Sequence, residues 1–247
     1  MLNPVVVRVL TCEVYTVKDY VACRVDSRIN RFVVRAYIED THETVDVHIN
    51  NTGKLTGVLR RDARGYCYPI RGSKLSYRLF SVEYHGGFAV IDTGLQELSF
   101  ASAVEAGMIP WLRDCRVKTR APRVGRHRLD YLLSCSGEEL LVETKSAVLA
   151  DSEGYALYPD TPSLRGRKHV ELLLSLAREG RKVLLLFIAA FPNAKGFKPN
   201  RQIDPVLARL VSEAAKAGVN VKSIGLMFEP AGGRIILYNP DMPVLLD

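Results

Sequence analysis

The chain has 247 residues, 47% of them hydrophobic and 25% charged, with a formal net charge of +7. That is apolar material for one large core or two modest ones, and the excess of lysine and arginine favours a polyanionic partner. No apolar run nears the ~20 residues of a membrane span, and the N-terminus lacks a signal-peptide pattern. The five scattered cysteines form no CxxC pair, which argues against structural zinc and against a disulfide framework. Reduced thiols and a cytoplasmic setting are the expectation.

In chain order, Val5 to Leu10 is β-branched and apolar, and Phe32 to Ile38 repeats that texture. Thr44 to Ile49 alternates with period two, as a half-buried strand does. Asn50-Asn51-Thr52-Gly53 and Gly72-Ser73-Lys74 punctuate as turns, and Leu75 to Tyr84 resumes strand character. Residues 1–84 therefore predict a small all-β domain, a barrel or a sandwich. Residues 85–247 read differently. Leu95 to Gly107 suggests a short helix, and 115–119, 128–135 and 139–148 suggest three strands. Thr161-Pro162 signals a helix start that runs to Gly180. Val183 to Ala190 is a continuous apolar strand, as in the middle of a mixed sheet. A helix from Asp204-Pro205 to Gly218 follows, then a closing strand pair over 219–228 and 234–238. The order predicts an α/β domain, a mixed sheet covered by helices.

The chemistry concentrates where Asp130, Glu143 and Lys145 interrupt apolar strands. Side chains two apart on a strand leave the same face, so Glu143 and Lys145 share one. A hairpin at Ser136-Gly137 would set Asp130 beside them. Asp130 and Glu143 are hard oxygen ligands suited to Mg²⁺ or Mn²⁺, and Lys145 suits orienting a water for attack on a phosphodiester. The same letters also describe an acid paired with an arginine beside a solvent-facing strand. Leu129, Leu132, Leu133, Leu140, Leu141 and Val142 surround the charges, where carboxylates are costly unless paired or metal-bound. Glu105 offers either a third acid or a helix-surface glutamate. Arg165-Gly166-Arg167-Lys168-His169 opens a helix, and an anion held by Arg165, Lys168 and His169 would offset their clash with the helix dipole. Two basic stretches, Arg113 to Arg128 and Lys54, Arg60, Arg61, Arg64 and Arg71 with Tyr66 and Tyr68 between, suit backbone tracking and base stacking or an ordinary charged surface.

Asp130, Glu143 and Lys145 resemble the PD-(D/E)XK nuclease core. With Arg31-Phe32, Asn51-Thr52-Gly53-Lys54-Leu55-Thr56-Gly57, Arg128 to Leu133, Val142 to Ser146, Tyr158-Pro159-Asp160, Arg165 to His169 and Ile203-Asp204-Pro205, the chain resembles the sugar fermentation stimulation protein A family. That resemblance implies an OB-like barrel, a PD-(D/E)XK-type α/β domain, and DNA binding with a regulatory role in sugar metabolism. It makes Asp130, Glu143 and Lys145 the nuclease-like set; Arg31 joins Lys54, Arg60, Arg61 and Arg128 of the basic stretches among the candidate DNA-binding residues. The chain departs from the family where an upstream acid is common: Ala121-Pro122-Arg123 stands there, and His127 replaces a serine. The expected function is a DNA-binding protein with a nuclease-like Mg²⁺ site and no organic cofactor. The alternative is an active Mg²⁺-dependent nuclease on DNA or RNA, and a small-molecule phosphohydrolase fits the long basic stretches less well. The oligomeric state stays open.

Overall fold

The computed structural model describes residues 12–71 and 74–246; the strand expected over Val5 to Leu10 lies outside them. The chain runs through β1 (Cys12–Thr16), β2 (Val21–Arg28), β3 (Val33–Ile38), β4 (Glu43–His48), β5 (Arg64–Pro69), β6 (Tyr77–Tyr84) and β7 (Gly87–Val90) before its first helix, α1 (Thr93–Glu105). It continues with β8 (Cys115–Arg120), β9 (Arg123–Val124), β10 (His127–Arg128), β11 (Tyr131–Cys135), β12 (Glu138–Ala147), β13 (Leu149–Ala150) and β14 (Ala156–Tyr158). Last come α2 (Leu164–Arg178), β15 (Lys182–Ala189), β16 (Phe197–Pro199), α3 (Pro205–Lys216), β17 (Asn220–Glu229) and β18 (Arg234–Met242).

Strands β2 to β6 form the barrel, in the order β4-β3-β2-β5-β6, closed where His48 of β4 meets Arg78 of β6. Closure removes the free edges of an open sheet. Of the two shapes the N-terminal half allowed, it is the barrel. Strand β5 is the part of it hidden in the letters. Its outward residues, Arg64, Tyr66 and Tyr68, look like a basic aromatic surface, and its inward residues are only Gly65 and Cys67. Gly65 is required there, because a Cβ would press on the Ser81 carbonyl of β6.

The second half carries its sheet in the order β17-β15-β12-β11-β8. Strands β12, β15 and β17 run parallel, and β11 and β8 add antiparallel. The apolar run of β15 is buried along nearly its whole length in the middle of this sheet, as its composition predicts. The two halves share one sheet, because β7 pairs with β17 at Phe88 and Phe228. Tyr20, Tyr66, Phe80, Phe88 and Phe228 meet edge-to-face around that join, an arrangement that adds to plain area burial.

Asp92 fastens the barrel to α1. It is 1% exposed, caps the helix by accepting from the Leu95 N–H at 3.1 Å, and also accepts from the Tyr68 hydroxyl at 2.9 Å and the Asn50 amide at 3.1 Å. Two local expectations are corrected. The first turn of α2 is capped by Ser163, whose hydroxyl accepts from the Gly166 N–H at 3.0 Å, and not by Thr161; a serine two residues on is as good a cap, so the helix starts later. The odd cysteine count points to free thiols throughout, yet Cys115 and Cys135 are disulfide-bonded. They are direct partners in the β8–β11 register, a proximity that a spacing of twenty residues does not reveal. Among the described residues no helix is long and apolar enough to cross a membrane.

Candidate active site

A cleft of about 700 Å³ opens between the halves. One wall is barrel loop, Arg31, Phe32, Asn50 to Gly53 and Leu55; the other is Tyr158 to Gly166, ending in the first turn of α2; the floor carries Glu97, Asp130, Glu143 and Lys145. The walls touch where the Leu55 N–H donates to the Asp160 carboxylate at 2.8 Å. Gly53 makes that approach possible, since a Cβ there would overlap the Asp160 carboxyl group. Gly53→Ala should therefore part the walls and lower stability by about 1–3 kcal/mol, read as a lower denaturant midpoint; an unchanged midpoint would contradict the contact.

The floor is built as the strand arithmetic requires. Ser136 and Gly137 both adopt positive φ, as a tight two-residue hairpin demands, and they set β11 against β12. Asp130 stands just before β11. Its N–H donates to the Val142 carbonyl at 3.1 Å, and its Oδ2 accepts from the Thr144 N–H and hydroxyl, both at 2.7 Å. Glu143 and Lys145 share a face and form an ion pair. Glu143 is 2% exposed. Its Oε1 is bound by the Lys145 ammonium and by Nδ1 of His169, while its Oε2 is buried with no hydrogen-bond partner.

These groups shift one another. Burial opposes ionisation of Glu143, but Lys145 and His169 outweigh it and hold the carboxyl below its ordinary range. Burial likewise works against the Lys145 ammonium, and Glu143, Tyr158 and Asp130 together raise its pKa. Burial, then the Glu143 charge, raises Asp130 against the Lys145 charge and the Thr144 hydrogen bonds. Glu97 is pushed furthest, to about 7, by burial and then by Asp130 and Glu143. Carboxyls whose environments drive their pKa values apart mark functional sites.

The predicted residues are partly brought together. Asp130, Glu143 and Lys145 line the cleft, with Arg31 and Arg165 on its two walls. Lys54, Arg60, Arg61, Arg128 and Lys168 are exposed outside its lining. His169, grouped by sequence with the anion-binding residues, turns inward to Glu143 because it lies one helical turn past Arg165 on the buried face of α2. Its neighbour Arg167 pairs with buried Asp204, the cap of α3, at 2.9 Å. Glu105 does not reach the floor: it accepts from the Val117 N–H at the far end of α1. The acid that α1 supplies is Glu97, two turns earlier, which sequence reasoning missed. Its signal was a lone charge among Leu95, Gln96, Ser99 and Phe100, all buried in the same helix.

Buried Oε2 of Glu143 lacks a donor, and Asp130 and Glu97 stand with it on the floor, so the donor set fits a hard cation. Among the described residues no group of three or more His, Cys, Asp or Glu side chains is already drawn together as a metal cage. Mg²⁺ keeps several waters and takes one or two carboxylates, so it does not require such a cage.

A closed five-stranded barrel fused to an α/β sheet, with an acid and a lysine on central strand β12 and a second acid just before β11, defines an OB domain joined to a PD-(D/E)XK-type domain. Family models bear this out, the "SfsA N-terminal OB domain" over residues 27–91 and the "Sugar fermentation stimulation protein RE domain" over 94–232. The chain belongs to the sugar fermentation stimulation protein family. Among relatives named sugar fermentation stimulation protein homolog, that of Pyrococcus furiosus is 45% identical over 217 residues, 88% of this chain and 92% of the relative. That of Archaeoglobus fulgidus is 39% identical over 234 residues, covering 95% and 100%. The solved structure of Pyrococcus furiosus SfsA in complex with Ca²⁺ superimposes with a TM-score of 0.89 at 41% identity, covering 95% of this chain and 99% of that one.

Proposed function

We propose that the cleft binds nucleic acid, most readily DNA, and hydrolyses a phosphodiester bond with the help of Mg²⁺ or Mn²⁺. The observation that carries this reading is the buried, unpartnered Oε2 of Glu143 in a cleft it shares with Asp130 and Glu97. Glu143 and Asp130 would hold the cation, with Glu97 completing the set once ionised; the bound cation supplies Lewis-acid polarisation of the phosphate and of an attacking water. Lys145 would orient that water and offset charge building on the phosphate oxygens. His169 fixes the Glu143 carboxylate by donating from Nδ1, the role a partner to a ligand carboxylate plays. Glu97 on α1 would stand in for the acid that this chain lacks upstream of Asp130. The Pyrococcus furiosus relative solved with Ca²⁺ supports a hard-cation site, and the net charge of +7 supports an anionic polymer as substrate.

Metal-dependent unfolding temperature tests the site without needing activity. A cation held at a hundred times its Kd adds about 2.7 kcal/mol, roughly 5–10 °C for a chain of this size. Wild type should gain this in millimolar Mg²⁺, Mn²⁺ or Ca²⁺ over chelator, and Glu143→Gln should gain little. No gain in wild type would contradict the metal site.

A further inference from the structure

Resting on that reading, we infer that the cleft takes a single strand of nucleic acid and excludes a duplex, with Phe32 and Leu164 holding a base between the walls and Arg31 and Arg165 holding the adjoining phosphates. Size is the first reason. About 700 Å³ is the volume of a small-ligand pocket, which suits a short stretch of one strand better than a duplex. The walls also meet, through Leu55 and Asp160, which limits how far they can part for a wider ligand.

The second reason is what stands on the walls. Phe32 is 49% exposed and Leu164 71% exposed, and each lines the cleft from a different half of the molecule. Neither is needed for the core. Phe32 sits on a turn held in place from several sides. Its N–H donates to the Asn30 side chain at 2.8 Å. The Arg28 guanidinium donates to the Arg31 carbonyl at 3.0 Å and to the Gly53 carbonyl at 2.6 Å, and it also binds the Lys54 carbonyl. An exposed ring on a fixed turn costs little further ordering when a base stacks on it. The Arg31 guanidinium lies 5.7 Å from that ring's centre, so stacking surface and positive charge come as one unit. Across the cleft, the first turn of α2 presents Leu164 and Arg165 together, with the positive end of the helix behind them.

The test is fluorescence polarisation in Ca²⁺ with a short labelled DNA strand, the same strand as RNA, and its DNA duplex, at fixed salt. Both single strands should bind about tenfold or more tightly than the duplex. Phe32→Ala should weaken single-strand binding about tenfold, the range for loss of one stacked base, with little change on duplex, and Phe32→Tyr should retain the preference. Equal or tighter duplex binding, or an equal loss on both in Phe32→Ala, would overturn the inference. A single-strand preference without metal-dependent cleavage would support this inference while removing the phosphodiesterase reading, and preferential cutting of duplex would do the reverse.

Discussion

Replacing Glu143 by glutamine should lower stability by about 3 kcal/mol, roughly 6–12 °C in Tm for a chain of this length. The carboxylate is 2% exposed and is the common partner of Lys145 and His169, so the neutral variant leaves a buried ammonium without its counter-charge. The pH dependence has a defined sign. The depressed pKa of Glu143 contributes stability that is present above its unfolded value and lost as pH falls through the lower folded one. The raised pKa of Lys145 contributes stability that is present below its unfolded value and lost as pH rises through the higher folded one. Glu143→Gln should erase the first window and shrink the second. Glu143→Leu combined with Lys145→Met should recover much of the loss, because an apolar pair in place of a buried ion pair is often neutral or better. Chemical denaturation of the single and double variants measures this; a double variant no more stable than Glu143→Gln would show that the pair is not what the pocket is built around.

Glu97 should dominate the pH dependence of the metal-free protein near neutrality. Its folded pKa of about 7 stands above its ordinary value of 4.5, so between those values the folded state binds more protons than the unfolded one. Stability must then fall as pH rises through that window and level off above it. Asp130, also raised, adds in the same direction. Glu97→Gln removes the largest part of the slope, so the variant should be more stable than wild type at about pH 8. The same change should weaken metal binding, because a cation needs the ionised carboxylate and releases its proton on binding. Wild-type metal affinity should accordingly climb through pH 7, and the climb should flatten in Glu97→Gln. Unfolding curves at about pH 5, 6, 7 and 8, with and without Mg²⁺, read both effects; parallel slopes for the two proteins would contradict the placement of Glu97 in the site.

The parts of the site carried by strands were legible, and the parts carried by helices were not. Period two fixes Glu143 and Lys145 on one face, and Ser136-Gly137 is a strong enough turn signal to bring Asp130 alongside. No local rule says which side of α1 or α2 faces that sheet. Thus Glu105 was singled out and Glu97 passed over, and His169 went with its basic neighbours when its position on the buried face of α2 sends it to Glu143. The fold divides the same way. The buried run of β15 and the Asp204-Pro205 start of α3 announce themselves, whereas β5 hides behind outward arginine and tyrosine with only glycine and cysteine inside. The Cys115–Cys135 bond needed the β8–β11 register, which follows from pairing and not from spacing.

The most direct measurement is cleavage of labelled single- and double-stranded DNA and RNA by wild type and Glu143→Gln in Mg²⁺, Mn²⁺, Ca²⁺ and chelator. Wild type should cut in Mg²⁺ or Mn²⁺, bind with little turnover in Ca²⁺ and not cut in chelator, and Glu143→Gln should lose at least about a hundredfold. Wild type that binds nucleic acid and cuts nothing with any metal would contradict the phosphodiesterase reading and leave a binding protein on a nuclease fold; equal cleavage by Glu143→Gln would place the activity elsewhere.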